Sequence, residues 1–207
     1  SLGAIYGYKW TGVVQPGEEN YLYNVVASPG DAKYADLNDD HQLTAADRQI
    51  LGYNKENFTV SLSNTLNYRN IELYVLLNGV FGGNGYGMAQ NNSAYLTADK
   101  YFYHNTLDHP YWTPENTSKE FPRWDYVDDK FTALQSYSFI RLQDVNLSYT
   151  FRNEITGKAG ISNLRVYLAF SKLIFIAPEW EGSDPEVRSF TTAQLPRSFK
   201  LGLDIQF

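Results

Sequence analysis

The ten residues Ser198 to Phe207, S-F-K-L-G-L-D-I-Q-F, alternate without a break. Phe199, Leu201, Leu203, Ile205 and Phe207 fall on one side, and Ser198, Lys200, Gly202, Asp204 and Gln206 on the other. Successive side chains of a pleated strand point to opposite faces, so this segment reads as a strand with one apolar and one polar face. The pattern recurs upstream. Phe58, Val60, Leu62, Leu66 and Tyr68 share a face, with Asn64 the one polar residue among them. After the link Arg69-Asn70, residues Ile71, Leu73, Val75, Leu77 and Phe81 repeat it. A two-residue link reads as a tight hairpin, with Asn70 supplying the left-handed conformation that such a turn needs. Ser138 to Phe151 sets Val145, Leu147, Tyr149 and Phe151 against Asp144, Asn146, Ser148 and Thr150. Leu164 to Ile174 sets Leu164, Val166, Leu168 and Phe170 against Arg165, Tyr167, Ala169 and Ser171. A weaker strand is expected over Ala4 to Val14.

Strand length narrows the choice. These runs are about ten to fourteen residues long, against about 5–6 in soluble proteins and about 9–11 for a tilted membrane-spanning strand. Aromatics stand at the run ends, at Phe58, Tyr68, Phe81, Tyr149, Phe151 and Phe207, as in an interfacial girdle. Connections alternate too. Arg69-Asn70 and Arg152 to Asn163 are short, whereas Gln15 to Asn57, Gly82 to Tyr137 and Phe175 to Arg197 are long. Outer-membrane barrels have short periplasmic turns and long outer loops. The expected fold is therefore all-β: an antiparallel meander of long strands, the C-terminal part of a transmembrane β-barrel with long extracellular loops. A soluble, secreted calcium-binding β-domain that binds carbohydrate is the alternative. The strand lengths and the long segment from Gly82 to Tyr137 argue against it.

Composition removes other classes. The 207 residues contain no cysteine, so disulfides, zinc-thiolate sites and thiol nucleophiles are excluded. The net charge of −6 argues against a nucleic-acid partner, which a basic face would be needed to hold. No apolar run approaches the roughly 20 residues of a transmembrane helix, which is no obstacle to a barrel. Ser1 to Tyr6 carries neither the charged nor the apolar region of a signal peptide. The chain opens as a stretch of a longer protein would.

Within the segment 31–52 lies a calcium-type loop, Asp36 to Asp47, with the spacing D-x-N-x-D-x-x-x-x-x-x-D. In loops of this kind positions 1, 3 and 5 offer side-chain oxygens, position 7 a carbonyl, and position 12 closes the shell. These positions are Asp36, Asn38, Asp40, Gln42 and Asp47. Hard oxygen ligands from one short loop suit Ca2+ in a structural role. Two positions depart from the pattern: His41 stands where glycine makes the sharp turn, and Asp47 reaches less far than glutamate. Thr44-Ala45-Ala46-Asp47 reads as an N-cap with its acid three residues on, leading through Arg48-Gln49-Ile50-Leu51 into a short helix.

No catalytic motif is present, and the chain is expected not to be an enzyme. His104 and His109, with Asp99 and Asp108 nearby, lack the spacing of a zinc pair. Gly82 to Gly87 follows a strand without opening a helix and reads as a flexible loop start. Asp128-Asp129 and Glu179 with Glu181 read as loop charges. Tyr101, Phe102, Tyr103, Tyr111, Trp112, Trp124 and Trp180 suit either sugar or partner contacts, or packing of the loops on one another.

Several segments together resemble the C-terminal end of the SusC/RagA-type TonB-linked outer-membrane transporters. They are Ile5-Tyr6-Gly7-Tyr8-Lys9-Trp10, Gly30-Asp31-Ala32-Lys33-Tyr34 with the Asp36 loop and Asp47-Arg48, and Tyr111-Trp112-Thr113-Pro114-Glu115-Asn116 with Phe121-Pro122-Arg123. Ser138-Phe139-Ile140-Arg141-Leu142, Gly160 to Tyr167, Gly182-Ser183-Asp184-Pro185-Glu186 and Pro196 to Phe207 complete the series. They run in family order over nearly the whole of residues 1–207. Phe170-Ser171-Lys172-Leu173-Ile174-Phe175 departs from it, standing where the family usually carries a Gln-Asn-Leu-Phe-like strand end. The resemblance implies a large barrel with an N-terminal plug, driven through TonB and located in the outer membrane of a Gram-negative bacterium. It implies a SusD-like surface lipoprotein as partner, and an oligosaccharide or peptide as cargo. The plug, the TonB contact and most of the barrel would lie outside this chain.

Overall fold

A computed structural model describes residues 2–86, 110–126, 128, 130–131, 134–180, 184–187 and 195–207. Among them eleven strands follow one another: β1 (Ala4–Tyr8), β2 (Trp10–Val13), β3 (Ala32–Tyr34), β4 (Arg48–Tyr53), β5 (Phe58–Tyr68), β6 (Ile71–Phe81), β7 (Asn84–Tyr86), β8 (Leu134–Ser136), β9 (Phe139–Thr150), β10 (Asn163–Ile176) and β11 (Ser198–Gln206). The chain forms two compact units, residues 56–82 with 137–207, and residues 1–55 with 83–136.

The first of these is a five-stranded sheet in the order β11-β10-β9-β6-β5, antiparallel throughout. The register aligns the alternating residues into rows. Leu66, Leu73, Leu147, Leu168 and Leu201 stand opposite one another across all five strands. Asn64, Val75, Val145, Phe170 and Phe199 form the next row, and Tyr68, Ile71, Tyr149, Val166 and Leu203 the one on the other side. A slip of one residue would move every side chain to the wrong face, so the apolar pattern fixes this register.

Alternation fails once, and the sheet corrects it. Ile140 and Leu142 have the opposite parity to Val145, Leu147 and Tyr149. Leu76 pairs with Asp144 and Leu77 with Leu142, which leaves Gln143 as an extra residue. On the other side Ser171 pairs with Asp144 and Ile174 with Leu142, so Lys172 and Leu173 lie opposite that same Gln143. A bulge shifts parity by one. Ile140 and Leu142 thereby return to the apolar face. Lys172 pays for the bulge with a left-handed backbone, φ 57°.

The hairpin between β5 and β6 forms as expected, but Arg69 takes the left-handed conformation, φ 55°, and Asn70 does not. Asn70 is held by β9 instead. Its Nδ2 donates to the Thr150 carbonyl at 2.7 Å, and its own carbonyl accepts from Thr150 N at 2.9 Å.

The other unit departs from the sequence reading in three places. Ala4 to Val14 is two short strands outside the long sheet: β1 pairs with β4, and β2 with β3. The break falls at Lys9, and both ladders are irregular, at Ile5/Tyr6 and at Trp10/Gly12. The segments read as long connections also carry a core of their own. Leu22, Ala32, Tyr34, Leu43, Tyr126 and Phe131 are buried together, with Tyr8, Trp10, Tyr21 and Val25 packed against them. Within the Gly-rich segment, β7 pairs with β8 rather than remaining loop.

Candidate functional site

One face of the five-stranded sheet is apolar and bare. Leu62, Leu66, Phe199, Leu201 and Leu203 are each between 59% and 66% exposed. Val60, Ile71, Ile140, Leu147, Ile174, Ile176 and Ile205 are exposed as well. So large a contiguous apolar patch marks an interaction surface. Its height follows from β5, whose eleven residues run from Phe58 to Tyr68. Ten steps of about 3.4 Å, tilted by about 40°, rise about 26 Å, which matches the apolar band of a membrane barrel. Phe58 stacks on Phe81 at 5.0 Å at one limit, and Tyr149 meets Phe151 edge-on at 4.9 Å at the other.

The opposite face is polar. Arg165 donates to Glu72 at 2.8 Å, and the Ser171 hydroxyl donates to Asp144 at 2.6 Å. Arg141 on this face is buried and pairs with Asp184 and, at 3.7 Å, with Glu186. The sequence offered Arg141 and Asp184 only as parts of separate motifs. The structure brings the two motifs together.

The calcium-type loop folds around its own carboxylates. Asp36 accepts from the amides of Asp40 at 3.3 Å and His41 at 2.8 Å. Asp40 accepts from Gln42 N at 2.8 Å and from Asn38 Nδ2 at 2.9 Å. Asp39 and His41 are both left-handed at φ 57°, so His41 adopts the conformation that glycine would provide without strain. Asp47 is fully buried and braces the loop, accepting from Leu37 N at 2.8 Å and Thr44 N at 2.7 Å. Those amides, Thr44 first and Leu37 next, hold its carboxyl below the usual range. Thr44 and Asp47 form the expected capping box, but around a single 3₁₀ turn, Ala45–Asp47, which leads into strand β4 rather than a helix. The expected ligand set is thus divided. Asp36, Asn38 and Asp40 share one turn with Gln42, while Asp47 serves the backbone. Among the described residues no group of three His, Cys, Asp or Glu side chains is arranged to hold a metal.

Several of the other singled-out residues are structural. The Trp112 ring lies so close to Gly30, at φ 93°, that a Cβ there would meet it at 2.6 Å. Arg123 fastens the same turn through Asp31 at 2.8 Å and through the Gly30 carbonyl, also at 2.8 Å. Trp180 is buried, whereas Trp124 is exposed. Asp128 is no bare loop charge: the hydroxyls of Tyr34 and Tyr126 both donate to it at 3.0 Å. Burial pushes both tyrosine hydroxyls far up, and the nearby Asp128 carboxylate adds to this. His104, His109, Asp99, Asp108, Tyr101, Phe102, Tyr103, Gly87, Asp129 and Glu181 lie outside the described residues.

No family model matches the chain. In sequence it is similar to TonB-dependent receptor P3 of Formosa agariphila, 27% identical over all of this chain and 22% of that protein. It is similar also to TonB-dependent receptor SusC of Bacteroides thetaiotaomicron, 26% identical over 90% of this chain and 18% of SusC. In fold it is similar to the RagAB peptide transporter, with a TM-score of 0.69 and 19% identity over 99% of this chain and 22% of that one. The RagAB importer in its closed-closed state gives a TM-score of 0.67 at 19% identity, covering 99% of this chain and 23% of that one. The chain therefore spans only 18% to 22% of these curated relatives. The resemblance to SusC/RagA-type receptors read from the sequence is borne out, and the fold is that of the C-terminal part of their barrel, not closed on itself.

Proposed function

We propose that this chain is part of the wall of an outer-membrane, TonB-dependent nutrient importer that works with a SusD-like surface lipoprotein on oligosaccharide or peptide cargo. The observation that carries this reading is the bare apolar face, as tall as a hydrocarbon layer and backed by a polar face. A soluble sandwich would cover that face with a second sheet. The similarity to the TonB-dependent receptors supports the importer. RagAB is a peptide importer and SusC a TonB-dependent receptor, which favours nutrient cargo for this chain as well. Nitroxide labels at Leu201 and Lys200 of the full-length protein in lipid vesicles test the membrane reading. Oxygen dissolved in the bilayer should relax the first label, and a water-soluble nickel chelate the second. The reverse order refutes it. Deleting the gene should abolish growth on the cognate glycan or peptide, and the tagged protein should co-purify a lipoprotein. Unchanged growth on every such nutrient the parent strain uses counts against import.

The Asp36 loop enters this reading as a structural calcium site. Asp36, Asn38 and Asp40 side chains and the Gln42 carbonyl would hold the ion, with Asp47 as the remaining, indirect member of the set. The turn already gathers three of these side chains. Calcium should then raise the melting temperature of the intact protein, and Asp36→Ala with Asp40→Ala should remove the effect. No shift in the unmutated protein refutes the site.

A further inference from the structure

The described part of the β10–β11 connection is fastened to the sheet. Asp184 to Val187 closes a turn in which Val187 N donates to the Asp184 carbonyl at 2.9 Å. Glu186 N donates to the Asp184 carboxylate at 3.0 Å. Pro185, at the second position, presets the backbone for such a turn and is fully buried. The turn lays Asp184 on the Arg141 guanidinium and brings Glu186 to 3.7 Å from it. Arg141 belongs to the polar face, since its neighbours Ile140 and Leu142 belong to the apolar one. It stands over the rings of Phe139 at 5.4 Å and Phe175 at 5.2 Å. Arg141 is 1% exposed and Asp184 7%. Removing one member of so buried a pair strands the other charge without water, which makes release costly.

We propose that the Asp184–Glu186 turn is a fixed strap. Clasped to Arg141, it holds residues 184–187 against the polar face of the wall and so limits the opening of the passage on that side. It stays in place while cargo passes. This rests on the barrel reading above.

The test uses the full-length receptor in detergent and in planar bilayers. Asp184→Asn keeps the shape and removes the charge. Proteolytic cleavage within residues 177–197 should become at least about tenfold faster, and the bilayer conductance should rise. Pro185→Gly loosens the turn without touching a charge and should accelerate the same cuts. Cleavage at the unmutated rate in both variants overturns the strap, provided each keeps the heat-modifiable gel mobility of a folded barrel. If either fails to assemble, Arg141→Lys, which keeps the charge and loses the fork, decides in its place: faster cleavage supports the strap and an unchanged rate overturns it. Failure of the barrel reading is seen separately, as absence of conductance and heat-modifiability in the unmutated protein, where protection of the turn can still be measured.

Discussion

An arginine carried along β5 should report its own depth. The eleven residues of β5 span the apolar band, so Ser63 marks its middle. Each residue moves about 3.4 Å along the strand, or about 2.6 Å in height at a tilt of about 40°. Leu62 is then about 3 Å from the middle, Val60 and Leu66 about 8 Å, and Tyr68 about 13 Å. Arginine on the lipid face costs about 2–4 kcal/mol at the midplane and about 0–1 kcal/mol near the interface. Leu62→Arg should therefore cost about 2–4 kcal/mol, Val60→Arg and Leu66→Arg about 1–2, and Tyr68→Arg less than about 1. On the other face, Ser61→Arg and Thr65→Arg should stay within about 0.5 kcal/mol. The assay is urea unfolding of the full-length receptor in lipid vesicles, one variant at a time. A flat profile refutes the membrane reading. So does a cost that rises toward Tyr68, or a Ser61→Arg cost equal to that of Leu62→Arg.

A Cβ at Gly202 would meet the Tyr167 ring at 2.2 to 2.5 Å, so Gly202→Ala should destabilise the β10–β11 pair by about 1–3 kcal/mol. In a Tyr167→Ala background the same change should become neutral or stabilising by up to about 1 kcal/mol, because glycine is a poor strand residue; a double-mutant cycle in urea checks it. Lys172→Asn places a residue that tolerates φ 57° at the bulge and should gain about 0.5–1 kcal/mol in the same assay. Asp47 is held below its ordinary value of 3.8, so its ionised form stabilises the loop above that pH and the stabilisation fades as pH falls through the lower folded value. Amide exchange at Leu37 and Thr44, corrected for intrinsic rates, should accelerate in that acid range. Asp47→Asn should remove the pH dependence.

The long strands were legible because one simple rule governs them. Phe58–Tyr68 and Ile71–Phe81 fall where the alternation begins and ends. The rule hid the first half of β9, since the bulge at Gln143 breaks parity and only the partner strands show where the extra residue lies. It misled at Ala4 to Val14, where Tyr6, Tyr8 and Trp10 keep alternating through a point at which the chain changes partner. The core of residues 1–55 and 83–136 left no periodic trace, because Tyr34 comes from a three-residue strand and Leu22, Tyr126 and Phe131 from scattered irregular segments. At the calcium-type loop, the spacing gave the turn and the capping box. It could not show that the Asp47 carboxylate is already engaged by the amides of Leu37 and Thr44.

The two kinds of signal carry different information because the physics behind them differs. A lipid-facing position needs only an apolar side chain, so Leu147, Leu168 and Leu201 could exchange with Ile, Val or Phe at little cost. They mark a membrane wall without marking whose wall it is. The tie points are demanding. Gly30 must be glycine under the Trp112 ring, and Asp31 must meet Arg123. Arg141 must meet the acid that Pro185 presents. Each couples residues far apart in sequence, and a change in one partner strands the other. These pairs lie in the segments that resemble the SusC/RagA-type receptors.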